Sequence, residues 1–305
     1  FSAAFQHYSW ASYSILISLL GLLGIQLFTA AYLVNALFFA LLVFAFISIV
    51  KEIDDSESLL AFAAVSILVY PELNEYRYFV IRDVGFWAFS VFALWQFLLY
   101  MKQPALKYGL GFCAALIVAT MLRVEAIVYL LMTPFALLLD HRFEMHQRRN
   151  RFLKLFQIIG ATAFAGIILL LPLGLNIQQL FMEFVSVYRP FLIDLLSPDA
   201  ADSYEIGRAL FNEHAAAYSQ QYIALFMVAG LTAMLFAKLV SGIGGPYLTV
   251  LIYGFFGRKL RLDRHIALPI VFYLLVNLLI LFTFVLVTRY LSSRYTILMC
   301  ILLGL

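Results

Sequence analysis

The chain has 305 residues, of which 65% are apolar and 12% charged, with a mean hydropathy of +0.98 and a formal net charge of +3. A soluble domain is about 45–50% apolar and about 25% charged, so a water-soluble fold could not hide this much apolar surface, and a polytopic all-α membrane protein is expected instead. No basic tail or basic–aromatic stretch points to nucleic acid, and Cys113 and Cys300 both lie in apolar runs that support neither a disulfide framework nor a metal site.

A helix that crosses a bilayer core takes about 20 apolar residues, with a range of roughly 17–25. On that ruler the sequence predicts spans over 31–50, 57–71, 84–101, 107–122, 124–139, 155–175, 266–288 and 295–305. The run 11–28 is interrupted by Ser12, Ser14 and Ser18 and carries Gly21 and Gly24, so it is expected at the interface or only part-way in. The stretch 221–257 contains Lys238 and the break Gly242-Ile243-Gly244-Gly245-Pro246, and is expected as one long broken passage. Together these give a single transmembrane domain, 1–305, of roughly nine or ten membrane segments. One long non-spanning segment, 176–220, carries Pro190, Pro198 and the acidic run Asp199–Glu205, and is expected on the outer face. The start at Phe1 and the end inside the apolar run Thr296–Leu305 suggest a segment of a longer protein.

Lys and Arg collect in cytoplasmic loops. If 31–50 runs inward, 12 of the 20 basic residues fall inside, around 51, 102–107, 142–154 and 258–264, and 7 outside, with Lys238 unassigned. The outer face then gathers ionisable groups close to the membrane. Glu72, Glu75, Arg77, Arg82 and Asp83 precede the helix over 84–101; Arg123 and Glu125 occupy the tight turn between two short spans; Arg289 and Arg294 bracket Arg289-Tyr-Leu-Ser-Ser-Arg-Tyr295. Ionisable groups at membrane depth are costly and tend to pair or to line a cavity. Guanidinium groups form bidentate hydrogen bonds to phosphate oxygens, and a carboxylate beside them can orient a hydroxyl or hold a cation. Each group has a plainer role as well. Asp83 could only complement its helix dipole, Arg289 and Arg294 could be snorkelling anchors, Arg123 and Glu125 could simply neutralise each other, and Glu72, Glu75 and Arg77 could be solvated loop charges. His7, beside Tyr8 and Trp10, fits an interfacial aromatic stretch, and the 142–154 cluster fits a topology signal with acidic-lipid contact secondary.

In order, sidedness and spacing these segments resemble the GT-C class of polytopic glycosyltransferases, in particular the bacterial relatives of protein O-mannosyltransferases and of the lipid A aminoarabinose transferase. Tyr13–Val50, with Gly21, Gly24 and Asn35, resembles the family's post-loop helix and second span. Arg82-Asp83 followed by Gly85-Phe86-Trp87 resembles the acidic opening of its fourth span on the outer face. Leu122-Arg123-Val124-Glu125-Ala126, then Pro134, resembles the basic turn between its two short central spans, and Arg289–Tyr295 resembles its late basic/Tyr segment. The resemblance runs through most of the chain. It departs in the first outer loop, where the family keeps its principal catalytic acid, because no Asp or Glu precedes Glu52 here.

The resemblance implies a polyprenyl-phosphate-linked sugar donor and an acceptor hydroxyl that attacks the anomeric carbon as the lipid phosphate leaves. It implies that Arg294, with Arg289 and Tyr295, neutralises that phosphate, and that Asp83 holds a divalent cation or orients the acceptor. Arg123, Glu125 and Arg82 would line the same cavity, and the general base would lie upstream of Phe1. The implied setting is a bacterial inner membrane with the site facing outward. Two other readings stay open: a transporter or flippase for an amphiphilic lipid-linked substrate, and a catalytically dead scaffold of polysaccharide assembly. The Gly242–Pro246 break with Lys238 is the feature that leans toward a transporter.

Overall fold

The structure, a computed structural model, describes residues 12–170, 182, 189, 222–257 and 263–305. The expectations placed on His7, on most of 176–220 and on Arg258, Lys259 and Arg261 fall outside the described residues. Among the described residues every regular element is a helix. The first two, α1 (Ser12–Leu22) and α2 (Leu27–Ile53), are separated by a turn in which Gly24 takes φ +84, a left-handed conformation that a side chain would strain. The Ser56 N–H donates to Asp54 Oδ1 at 2.9 Å in the turn that starts α3 (Glu57–Val69). Pro71 opens the short α4 (Pro71–Glu75), where its missing N–H costs no helical bond, and a 3-10 turn follows at Tyr76–Tyr78.

Next comes the central helix, α5 (Asp83–Lys102), which is apolar on every side; 78% of its most apolar window is buried, against 22–44% for the other long helices. It packs against α2 and against α6 (Leu106–Leu122). A Cβ on Gly85 would stand 2.5 Å from Leu122 Cδ1 and 2.6 Å from Phe38 Cε2, so this glycine sets the close approach of all three helices. The chain continues through α7 (Ala126–Met132), which tightens into 3-10 helix over Thr133–Leu139, and α8 (Met145–Leu170). The remaining described helices are α9 (Ile223–Ile243), α10 (Gly245–Phe256), α11 (Arg264–Thr288) and α12 (Ser293–Leu303). Buried polar groups need partners, and here those partners fasten helices together. The Tyr273 hydroxyl donates to Ser90 O at 2.9 Å, Asn277 Nδ2 donates to the Tyr129 hydroxyl, and the Tyr129 and Tyr273 rings stack at 4.3 Å, which ties α11 to α5 and α7.

Among the described residues four helices are long and apolar enough to cross a membrane: Leu27–Ile53, Asp83–Lys102, Leu225–Ile243 and Arg264–Leu286. On α11, Val271, Leu275 and Leu279 are exposed at one-per-turn spacing, while Ile270, Tyr273 and Asn277 around the helix are buried. An outward apolar stripe of this kind suits lipid rather than water, and the all-α architecture is consistent with a helical membrane protein.

The bundle has two distinct ends. At one, Asn35 Nδ2 donates to Phe79 O at 2.6 Å, Arg123 pairs with Asp83, and the Tyr70 hydroxyl donates to Gly242 O. At the other, Lys102 pairs with Glu52, Arg151 Nη1 donates to Met101 O at 3.3 Å, and the chain around Leu139–Arg142 meets Arg264–Leu268. The second end carries Lys51, Lys107, Arg142, Arg148, Arg149 and Arg264 and is the basic end; the first, with the buried Asp83–Arg123 pair, is the site end.

Two expectations differ from what the structure shows. Against roughly nine or ten membrane segments, four described helices are both long and apolar enough to span; 57–71, 124–139 and 295–305 form α-helices of 13, 7 and 11 residues, whereas 107–122 forms one of 17, as expected. At 1.5 Å per residue, 13 residues reach about 20 Å, short of a core about 30 Å thick. Apolar composition continues through these runs, but Pro71, Pro134 and the extended backbone at Arg123 cut the helices. The stretch 221–257 is two helices rather than one broken passage. Gly242 sits against Thr296 and Cys300, and Cys300 Sγ lies 3.9 Å from Leu239 O, so α9 runs antiparallel to α12 and finishes at the site end. Gly244, at φ +78, breaks the helix there, and α10 starts from that end, with the Tyr247 hydroxyl donating to Ser66 O at 2.7 Å.

Candidate functional site

Four segments converge at the site end: the loop over 71–82, the first turn of α5, the turn at 123–125 and the start of α12. Asp83 is the first residue of α5 and is buried, and the helix start has no side-chain cap. Its carboxylate is committed to a neighbour instead. Arg123, at the extended residue that ends α6, places Nη1 on Asp83 Oδ1 and forks onto Glu125, with Nη2 at 2.7 Å from Oε1 and Nε at 3.3 Å from Oε2. The Arg123 guanidinium also lies 5.4 Å from the Phe86 ring centre and 4.5 Å from that of Tyr295. The close approach at Gly85 brings Asp83 within reach of Arg123, because it draws α5 against Leu122, the residue before Arg123.

Burial opposes the charges of Arg123 and Glu125, yet their ion pairs override it. Arg123 is driven further toward its charged form by Glu125 and Asp83. Burial raises the Glu125 carboxyl, but Arg123 outweighs it and, with Arg82 adding, holds the group below the ordinary carboxylate value. Asp83, Arg123 and Glu125 are together net negative, and Arg82 and Arg294 turn the site net positive.

Arg294 differs from Arg123. Its Nη2 donates to the Tyr295 hydroxyl at 2.9 Å and its guanidinium lies 4.9 Å from the Tyr295 ring centre, so two cations lie close to that ring. The Arg294 Nε is buried without a hydrogen-bond partner, and among the described residues no carboxylate comes within ion-pair range of it. Of the residues singled out in the sequence, Asp83, Arg123, Glu125, Arg294 and Tyr295 are brought together. Exposed Arg82 borders them, near enough to favour ionised Glu125. Arg289 is half-buried at the end of α11 in a left-handed backbone, φ +53, which few residues other than glycine adopt.

Two residues of the 71–82 loop take part unexpectedly. Tyr76 is joined by Ser292 and the backbone of Arg294, while its ring packs edge-on to Trp87 at 6.0 Å, so it stitches the loop to α12. Glu72, expected as a solvated loop charge, is half-buried with Oε2 out of contact with water. Burial and the neighbouring Glu75 push its carboxyl above the ordinary value, against the pull of Lys238. Nothing in the spacing of the loop distinguishes Glu72 from Glu75, and of the two aromatics Tyr76 and Tyr78 only Tyr76 packs, against Trp87.

A divalent cation of the magnesium or calcium type takes about six or more oxygen ligands. Among the described residues no three His, Cys, Asp or Glu side chains gather as such a set, and the two carboxylates present are already joined by Arg123. That donor set does not fit a divalent cation at Asp83. Compared with known proteins, the chain matches no protein-family model and no curated protein sequence.

Proposed function

We propose that this chain is a membrane glycosyltransferase of the GT-C type, which moves a sugar from a polyprenyl-phosphate carrier to an acceptor hydroxyl. Its site end would face outward from a bacterial inner membrane, since the basic end carries the cytoplasmic signature of Lys and Arg. The shorter apolar helices would enter the bilayer beside the four long ones, completing roughly nine or ten segments. The observation that carries the reading is the contrast between two arginines. Arg123 is saturated by its own carboxylates, whereas Arg294 keeps a buried Nε without a partner beside it.

In this reading the acceptor oxygen forms a bond to the anomeric carbon as the bond to the phosphate oxygen breaks; the electron pair leaves on the phosphate, which also takes up the proton that the acceptor hydroxyl loses. Arg294 meets that growing charge with its planar fork, and Tyr295 holds the guanidinium in place. Arg123 fixes Asp83 through Oδ1, leaving Oδ2 to orient the acceptor. The transporter reading loses its main support, because the break at Gly244 falls at the site end between two packed helices and not inside a helix at the midplane.

The test is release of polyprenyl phosphate from a panel of polyprenyl-phosphate sugars by the chain in nanodiscs. Release by wild type and its loss in Arg294→Ala are expected; no release from any donor would overturn the enzyme reading in favour of the scaffold.

A further inference from the structure

A second feature lies at the opposite end, away from the proposed chemistry. The residues after α7 and the first turns of α11 enclose a cavity of about 510 Å³. Its floor is apolar, formed by Leu139, Leu268 and Val271, and its rim carries Arg142 and Arg264 with His141 and His265. Buried Asp140 holds Arg142 by a fork, Nε to Oδ1 at 2.9 Å and Nη2 to Oδ2 at 2.7 Å, so this guanidinium is positioned before any ligand arrives. Burial alone would raise the Asp140 carboxyl, but its bonds to Arg142 hold it below the ordinary value, and the pair stays charged at neutral pH. Arg264 adds a cation with no carboxylate in ion-pair range among the described residues, so the rim is net positive.

The floor is continuous with the outside of the bundle. Val271 lines the cavity and begins the exposed stripe that continues through Leu275 and Leu279. Cationic rim, apolar floor and an apolar track leading one turn at a time along a membrane helix match one kind of molecule, an amphiphile with an anionic head.

We propose that this cavity binds an anionic phospholipid of the leaflet at the basic end, with its phosphate between Arg264 and Arg142 and an acyl chain along Val271, Leu275 and Leu279. A free phosphate ester would use the rim alone; the lipid uses rim and stripe together. The site is independent of the glycosyltransferase reading.

The test is lipid binding to the full chain in detergent, followed by native mass spectrometry, with phosphatidylglycerol, phosphatidylcholine and glycerol phosphate as probes. Wild type should retain phosphatidylglycerol over phosphatidylcholine, and excess glycerol phosphate should not displace it. Arg264→Gln should weaken phosphatidylglycerol binding about five-fold, the scale of one arginine at an anionic lipid surface, whereas Arg149→Gln, exposed at the same end but outside the cavity, should leave it unchanged. Val271→Trp, which fills the apolar floor, should weaken it as well. Equal retention of the two lipids by wild type, displacement by glycerol phosphate, or equal losses in Arg264→Gln and Arg149→Gln would each overturn the proposal.

Discussion

Arg123 is the residue whose loss should be felt most in the fold. Arg123→Ala would leave Asp83 and Glu125 buried without their cation, and breaking a buried pair in this way costs about 3–5 kcal/mol. Arg123→Lys keeps the charge but loses the fork, so its thermal unfolding in detergent should fall between wild type and Arg123→Ala. Asp83→Asn keeps the size and one oxygen for Arg123, so a smaller loss, about 1–2 kcal/mol, is expected, together with loss of most transfer activity. Full activity in Asp83→Asn would return Asp83 to the role of structural partner for Arg123. Glu125 carries a pH prediction with a definite sign. Its folded pKa is depressed, so the stability it contributes is complete above the unfolded carboxyl value of about 4.3 and is lost as pH falls through the lower folded value. A melting curve between pH 6 and pH 3 should therefore fall more steeply in wild type than in Glu125→Gln; equal slopes would contradict the coupling to Arg123. At this scale the sequence exposed the charged groups, because charges inside an apolar chain stand out. It hid Tyr76 and the burial of Glu72, since neither differs in spacing from a residue of an ordinary surface loop.

Helix positions depend on a few close approaches. Gly85→Ala would place a methyl group 2.5–2.6 Å from Leu122 and the Phe38 ring, forcing α5 away from α2 and α6. Overpacking of this kind costs about 1–3 kcal/mol, and because it separates Asp83 from Arg123 it should reduce activity further than stability alone explains. Measuring both in the same detergent preparation separates the two effects; unchanged stability would show that the three helices do not meet there. Hydropathy located every apolar run that forms a helix among the described residues and bounded 84–101, 107–122 and 266–288 closely, but it read 57–71 and 124–139 as longer uninterrupted α-helices than they are. It sums composition, whereas helices stop where backbone geometry changes, at Pro71, Arg123, Pro134 and Gly244. For the same reason the two helices over 221–257 looked like one passage. The antiparallel packing of α9 on α12 rests on Leu239 and Cys300, and the Tyr70 hydroxyl holds Gly242, contacts distant in sequence that no periodicity encodes.

The whole molecule is polarised, with Arg142, Arg148, Arg149 and Arg264 at one end and the Asp83–Arg123–Glu125 group with Arg294 at the other. Single cysteines at Gln147 and Tyr78, both exposed, report this directly because native Cys113 and Cys300 are buried. In intact cells an impermeant reagent should label position 78 and spare position 147; the reverse pattern would turn the site inward. The central claim concerns the carrier phosphate at Arg294, and it can be measured without knowing the sugar. Binding of polyprenyl phosphate to the chain in nanodiscs, against polyprenol without the phosphate, isolates that interaction. Wild type should prefer the phosphate, and Arg294→Lys and Arg294→Ala should each lose about ten- to a hundred-fold in affinity for it, the range expected for a lost charge-assisted hydrogen bond of about 1.5–3 kcal/mol. Equal binding of polyprenyl phosphate and polyprenol, or unchanged phosphate affinity in both variants, would contradict the account.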